Sequence, residues 1–287
     1  MQEKKRGRTH SRWLLPAALV LAGAAWFENF TLSTSTVTAA CAALPEAFSG
    51  LRIVQISDLH GRRFDAESRY LLELVRLQSP DLIALTGDLA DEFTDFSMLP
   101  PLLDGLTALA PTFYVTGNHE WVLSREKREV LFSMLDAAGV VRLQNEYRLL
   151  KKGQASIVLA GVDDPNGPYD QKRPAQLVRE IRQSRGRDAY ILMPSHRNDE
   201  LDLWANMGVQ TVLCGHGHGG IVRLPFVGAV FGTHLDLFPD YTAGLYRKGQ
   251  TSMIVSRGLG GSRKLPLRIG NRPEIVTVIL KAESGKV

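Results

Sequence analysis

From Leu51 onward the chain alternates short apolar runs with longer amphipathic ones. LRIVQIS, DLIALT and TFYVT are unbroken apolar stretches of strand length, the pattern of strands covered on both faces. YLLELVRLQ and SMLPPLLDGLTALA lie between them with helical spacing, the second with an interruption expected at Pro100-Pro101. SREKREVLFSMLDAAG follows as a helix, with Ser124 placed to cap it and Gly139 to stop it. ASIVLAGV, AYILMP and VQTVLCG continue as strands, separated by helical RPAQLVREIRQS and NDELDLWANM. This alternation predicts βαβ units and a largely parallel sheet. Beyond Gly215 the pieces shorten: IVRLPFVG, AVFGT, TAGLYRKG, TSMIVSRG and EIVTVIL read as antiparallel strands and hairpins. The expected fold class is therefore α/β, with two packed mixed β-sheets flanked by helices.

The N-terminal pattern is different. Trp13–Phe27 (WLLPAALVLAGAAWF) is an uncharged apolar run of 15 residues, shorter than the roughly 20 of a full membrane span. Lys4, Lys5, Arg6, Arg8 and Arg12 precede it, and Trp13, Trp26 and Phe27 edge it. Positive charge before an apolar run with aromatic ends is the pattern of a segment addressed to a membrane. The expected organisation is a basic tail over 1–12, a membrane anchor or signal segment over 13–27, a linker over 28–48 that could hold a strand, and one domain over 49–287. The expected location of that domain is outside the cytoplasm, anchored by the N-terminus or secreted after signal cleavage.

Composition narrows the function. The 287 residues are 44% hydrophobic and 22% charged, values of an ordinary globular chain. Two cysteines, Cys41 and Cys214, make neither a disulfide framework nor a four-cysteine zinc site. The formal charge of +4 equals the excess carried by residues 1–12, which leaves the rest of the chain neutral. No nucleic-acid partner is expected from such a body.

Chemistry gathers where the strands end. Asp58 and His60 follow the first strand, Gly87-Asp88 and Asp91 the second, and Gly117-Asn118-His119-Glu120 the third. Ser195-His196 and Gly215-His216-Gly217-His218 follow two later strands. Ligands in open α/β sheets bind beyond the carboxyl ends of strands, so five segments are expected to converge. Asp58 with His60, and His216 with His218, are two apart and can face one place in extended chain. Carboxylate, amide and imidazole donors without thiolate suit Mn²⁺, Fe²⁺/Fe³⁺ or Zn²⁺. Seven such ligands exceed one four-coordinate ion and suit two ions sharing a carboxylate.

Asp58-x-His60, Gly87-Asp88-x-x-Asp91, Gly117-Asn118-His119-Glu120, His196 and Gly215-His216-x-His218 resemble, in order, the signature of the calcineurin-like metallophosphoesterases. Ser256-Arg257-Gly258-Leu259-Gly260 and Arg272-Pro273-Glu274-Ile275 are similar to the membrane-associated YkuE-like branch. The resemblance implies a four-layer α/β/β/α fold and two divalent metal ions per chain. It implies that Asp58, His60 and His218 bind one ion, that Asn118, His196 and His216 bind the other, and that Asp88 bridges them. It further implies in-line attack on phosphorus by a hydroxide shared between the ions, with His119 near the leaving oxygen and Asp91 orienting His119. Two positions depart from the common pattern: His196 is followed by Arg197-Asn198-Asp199 without the usual Pro, and Gly217 stands where Thr is common.

Other residues carry weaker expectations. Arg62, Arg63 and Arg197 are candidates to contact substrate phosphate, and Asp163 or Asp164 to support the site. Gly258–Gly261 reads as a hairpin turn, Cys41 and Cys214 as packing residues. Loops 91–101 and 163–175 are expected to set specificity. The expected function is metal-dependent hydrolysis of a phosphodiester or phosphomonoester at or outside a membrane. The alternative is cleavage of the pyrophosphate of a lipid-linked nucleotide of the UDP-2,3-diacylglucosamine type. A scaffold that has lost catalysis is disfavoured because the ligand set is complete.

Overall fold

Strand β2 (Arg52–Ile56) shows how an apolar run becomes layers. Its side chains alternate, yet both faces are buried. Ile53 packs between the two sheets, with Phe113, Leu159, Leu192 and Leu213. Val54 and Ile56 face the other way, under the helices, with Leu71, Leu102 and Leu131. The structure, a computed structural model, describes residues 11–233, 235–261 and 268–283, apart from the side chains of 11–14 and 21.

The first six-stranded sheet runs β1-β14-β2-β3-β4-β5, comprising β1 (Ser33–Cys41), β2, β3 (Leu82–Thr86), β4 (Thr112–Val115), β5 (Val141–Arg142) and β14 (Glu274–Ala282). Strands β2 to β5 are mutually parallel, and β14 is antiparallel to β2 and parallel to β1. The second sheet runs β12-β13-β9-β8-β7-β6, from β6 (Glu146–Lys152), β7 (Ala155–Gly161), β8 (Ile191–Pro194) and β9 (Thr211–Cys214) to β12 (Gly244–Lys248) and β13 (Thr251–Val255). Helices α2 (Arg69–Leu77), α3 (Leu99–Leu109) and α5 (Arg125–Ala137) cover the first sheet. Helices α6 (Pro174–Arg185) and α7 (Leu201–Asn206) cover the second, with Trp204 fully buried. The expected α/β class and its four layers are what the structure shows.

Several expectations are corrected. Pro100 and Pro101 do not interrupt a helix: they open α3, where no intrahelical N–H is required. The strands after Gly215 are not all antiparallel: the hairpins β10 (Val222–Leu224)–β11 (Gly228–Phe231) and β12–β13 are, as is β14 against β2, while β13 lies parallel to β9 and β14 parallel to β1. Gly258–Gly261 is no hairpin turn, because β13 and β14 belong to different sheets and this segment crosses between them. The 28–48 stretch does hold a strand, as its sequence allowed: β1, paired along all nine residues with β14. Strand β6 went unread because its charged residues point outward at a sheet edge.

Helix α1 (Ser11–Phe30) stands apart. Every described side chain from Leu15 to Phe27 is exposed, and the helix is apolar around its whole circumference. Among the described residues, only its end engages the body. Buried Asn29 exchanges hydrogen bonds with the backbone of Arg268, giving through Nδ2 (3.1 Å) and accepting at Oδ1 (2.8 Å). No helix among the described residues is long and apolar enough to cross a membrane.

Candidate metal centre

The loops after β2, β3, β4, β8 and β9 meet at one edge between the two sheets. Three overlapping groups have donor atoms within 4.8 Å of one another: Asp58, His60 and His218; His60, Asp88 and His119; Asp88, His196 and His216. Asn118 opens the short helix α4 (Asn118–Val122), and its Oδ1 lies 3.1 Å from His196 Nε2. All seven ligands expected from sequence, and His119, are thus brought together. Asp58, His60, Asp88, His216 and His218 all adopt left-handed backbone, with φ between 49° and 65°. Such strain costs of order 1 kcal/mol or more per residue and persists where a site demands it. Gly87, at φ 86°, could not be replaced, since a Cβ would come within 2.6 Å of His196 Nδ1.

The two sides of the centre differ. His196 is tied at both nitrogens: Nδ1 lies 2.9 Å from Thr86 O, and Nε2 lies 3.1 Å from Asn118 Oδ1, 3.1 Å from His216 Nδ1 and 3.2 Å from Asp88 Oδ2. On the other side His60 stands 3.7 Å from both Asp88 and Asp91, too far for a hydrogen bond. Both His60 nitrogens and Nδ1 of His218 are buried without a hydrogen-bond partner among the described residues. Native proteins rarely leave such atoms orphaned, and a divalent cation satisfies an imidazole lone pair. The donor set and these orphaned nitrogens fit two metal ions.

The electrostatics reflect this crowding. Burial resists the charge on Asp88, but attraction and a hydrogen bond from His196 hold its carboxyl far below the usual range. Burial likewise opposes a charged His196, yet Asp88 lifts it to about 10. Burial, reinforced by repulsion from His60, pushes His218 down.

Glu120 was not singled out by sequence reasoning, yet it binds the ligand loops together. It is fully buried and accepts from the N–H groups of Asp88 (3.0 Å), Leu89 (2.7 Å), Ala90 (3.3 Å) and Gly117 (2.7 Å). Burial and then repulsion from Asp88 raise its carboxyl to about 7. Its place as third residue of α4, bonding back to the residue before the helix, is half of a capping box. That spacing was the available signal. Asp91 supports His60: its burial penalty is overcome by His60 and by the Phe93 N–H, which bring it to about 2. The turn closed by Thr94 holds Asp91 facing the His60 ring. His119 donates its backbone N–H to Asp88 Oδ1 (2.8 Å), and its ring meets His60 edge-on at 4.7 Å.

The three arginines go to different tasks. Arg62 donates to the carbonyl of Asn29 and lies over the rings of Phe30 (5.5 Å) and Phe64 (5.3 Å). A helix-end carbonyl and two aromatic faces draw it away from the ligands and onto α1. Exposed Arg63 pairs with Asp95 at 2.6 Å. Arg197 remains at the centre: it grips buried Asp164 through two bonds (2.6 and 3.0 Å) and reaches His216 Nε2 at 3.2 Å. Asp163 serves Thr116 instead.

A cavity of about 330 Å³ opens beside His216, walled by Asn198, Asp199, Gly232, Thr233, Asp236 and residues 239–242. Loops 91–101 and 163–175, expected to set specificity, contribute none of its lining. Buried Arg268, also unread, donates to the carbonyls of His218 (3.3 Å) and Arg257 (2.8 Å). It ties the last metal loop to the end of α1. Cys214 packs fully buried in β9, as expected.

Comparison with known proteins places this geometry. Residues 51–220 match the family described as calcineurin-like phosphoesterase. The chain is 31% identical to the uncharacterized metallophosphoesterase YkuE of Bacillus subtilis, over 90% of this chain and 89% of that one. It is 31% identical to phosphodiesterase YaeI of Escherichia coli, over 80% of this chain and 82% of that one. It is also 26% identical to a transmembrane protein with a metallophosphoesterase domain from Danio rerio, covering 83% of this chain and 55% of that one.

Proposed function

The chain belongs to the calcineurin-like phosphoesterase family and is a metal-dependent phosphoester hydrolase, and we propose that its substrate is a phosphodiester met at a membrane surface. The observation that carries the diester reading is the cavity beside His216. Its wall includes the carboxylates of Asp199, Asp236 and Asp240. A diester carries one negative charge and a second organic substituent, and this cavity offers room for that substituent. Its carboxylates repel the additional charge of a monoester or pyrophosphate, which counts against the lipid-linked pyrophosphate alternative. The name phosphodiesterase of the YaeI relative points the same way.

In this reading Asp58, His60 and His218 hold one divalent ion, Asn118, His196 and His216 the other, and Asp88 serves both. Ions held there lower the pKa of water and offset charge developing on the phosphoryl oxygens. Glu120 keeps Asp88 and Asn118 in register through the backbone of their loops. Arg197, steadied by Asp164, faces the non-bridging oxygens. His119 gives the leaving oxygen its proton. The membrane part rests on α1, whose exposed apolar circumference is costly in water and stabilised in lipid.

Hydrolysis of bis-p-nitrophenyl phosphate and p-nitrophenyl phosphate by the full chain, with Mn²⁺ and with chelator, tests this. The reading expects chelator-sensitive turnover favouring the diester. Preference for the monoester would overturn the diester assignment, and no turnover despite two bound ions would overturn both.

A further inference from the structure

Most large apolar side chains exposed on the described surface fall in two places, α1 and the segment around β10–β11. The second group includes Leu224, Phe226 and Val227 at the hairpin tip, with Leu235, Leu237 and Phe238 in the following loop. Phe226 is fully exposed. A hairpin tip reading Leu-Pro-Phe-Val is unusual for a surface in water, where contiguous apolar patches mark an interaction site.

Two connections give the patch its meaning. The hairpin grows directly from the last metal loop: β10 begins four residues after His218, and Arg223 donates to the carbonyl of Gly219 (2.8 Å) and to Thr242 Oγ1 (3.0 Å). Residues 268 and 269 join the hairpin to α1. Arg268 bonds Asn29 of the helix, while Ile269 pairs with β10, its N–H giving to Ile221 O (3.1 Å) and its C=O accepting from Arg223 N (2.8 Å). Ile269 is itself half exposed. The end of the apolar helix, the apolar hairpin and the metal centre are thus linked through two consecutive residues.

We propose that the β10–β11 tip, with Leu235, Leu237 and Phe238, is a second membrane contact that enters the headgroup region of a lipid bilayer. It rests on the phosphodiester reading above, and it identifies the substrate class as a diester carried by a lipid headgroup. The occupant follows from α1: a helix apolar on every side finds its match in hydrocarbon, and the hairpin is fixed to that helix's end. A single anchoring segment leaves a domain free to swivel, and a second contact beside the catalytic mouth sets its orientation. The cavity wall formed by the segment after β11 would then face the lipid surface.

The test uses the full chain and vesicles of phosphatidylglycerol and phosphatidylethanolamine. Phe226→Cys is labelled with the polarity-sensitive dye NBD, with Tyr169→Cys, exposed on the β7–α6 connection, as control. The native Cys41 and Cys214 are buried. On vesicles the dye at 226 is expected to brighten at least about twofold and to be quenched by lipid-borne nitroxide, with no change at 169. In parallel, Leu224→Asp with Phe226→Asp should slow hydrolysis of a lipid-tethered nitrophenyl phosphodiester at least about tenfold, with bis-p-nitrophenyl phosphate turnover unchanged. No emission change at 226 in vesicle-bound protein overturns the proposal. So does brightening without vesicles that grows with protein concentration, which identifies a second copy as the occupant. Failure of the enzyme reading shows separately, as absent turnover of the soluble diester.

Discussion

On one side of Asp88, His196 is held through Nδ1 at the carbonyl of Thr86, and its Nε2 lies 3.1 Å from both Asn118 and His216. On the other side, His60 and His218 stack at 5.0 Å with three buried ring nitrogens unsatisfied. The first side is organised by polar contacts, the second by packing and by Asp91. The two halves of the centre therefore rest on different contacts of the protein. A coupled pair of metal positions need not be a symmetric pair.

The strongest way to break this comparison is to remove the residue common to both sides. Asp88→Ala should lower turnover of bis-p-nitrophenyl phosphate by roughly a thousandfold or more, because a shared metal ligand contributes several kcal/mol to the transition state. Bound metal measured by mass spectrometry should fall with it. Retained activity would mean that the two sides work independently.

Thermal and denaturant unfolding of the metal-free protein sharpen the contrast. His196→Ala leaves the buried Asp88 carboxylate without its main partner and should destabilise by about 3 kcal/mol. His218→Ala removes a ring whose charging is opposed by burial and by His60, and should cost markedly less. Equal losses would contradict the difference between the sides. A pH series adds the sign. His196 is lifted from 6.5 to about 10 in the fold, so its protonated form stabilises the metal-free state fully below pH 6.5. That contribution is lost as pH rises toward 10. The melting temperature of metal-free protein should fall over this window, and the fall should be smaller in His196→Ala.

Much of this was legible in the chain. The apolar runs gave the central strands because both faces of each are buried, and the ligands stood out as polar residues directly after them. What escaped depends on partners distant in sequence. Arg62 looked like a phosphate ligand beside His60, but its partner is the carbonyl of Asn29, supplied by a helix end 33 residues away. Asp91 was read as orienting His119, and its place 3.7 Å from His60, held by the Thr94 turn, was not foreseen. Glu120 was visible as a residue in Gly117-Asn118-His119-Glu120, but its function lies in three backbone N–H groups about 30 residues upstream. The 232–242 wall of the cavity carried no periodic pattern by which to recognise it.

Two smaller effects follow from those late-found contacts. Glu120→Gln replaces one acceptor oxygen with a donor facing the Asp88 and Gly117 N–H groups. It should cost about 10–100-fold in metal affinity or kcat, as losses of supporting contacts at metal sites do, and kcat should partly recover at saturating Mn²⁺. Arg197→Lys keeps the charge but loses the two-point grip on Asp164, and should raise KM by roughly tenfold with a smaller change in kcat.

The most direct test of the shared centre is a titration of metal-free full chain with Mn²⁺, following bound ions and bis-p-nitrophenyl phosphate turnover together. The account predicts that turnover stays low at one ion per chain and reaches its plateau at two. A plateau at one ion, or two bound ions without turnover, would contradict it.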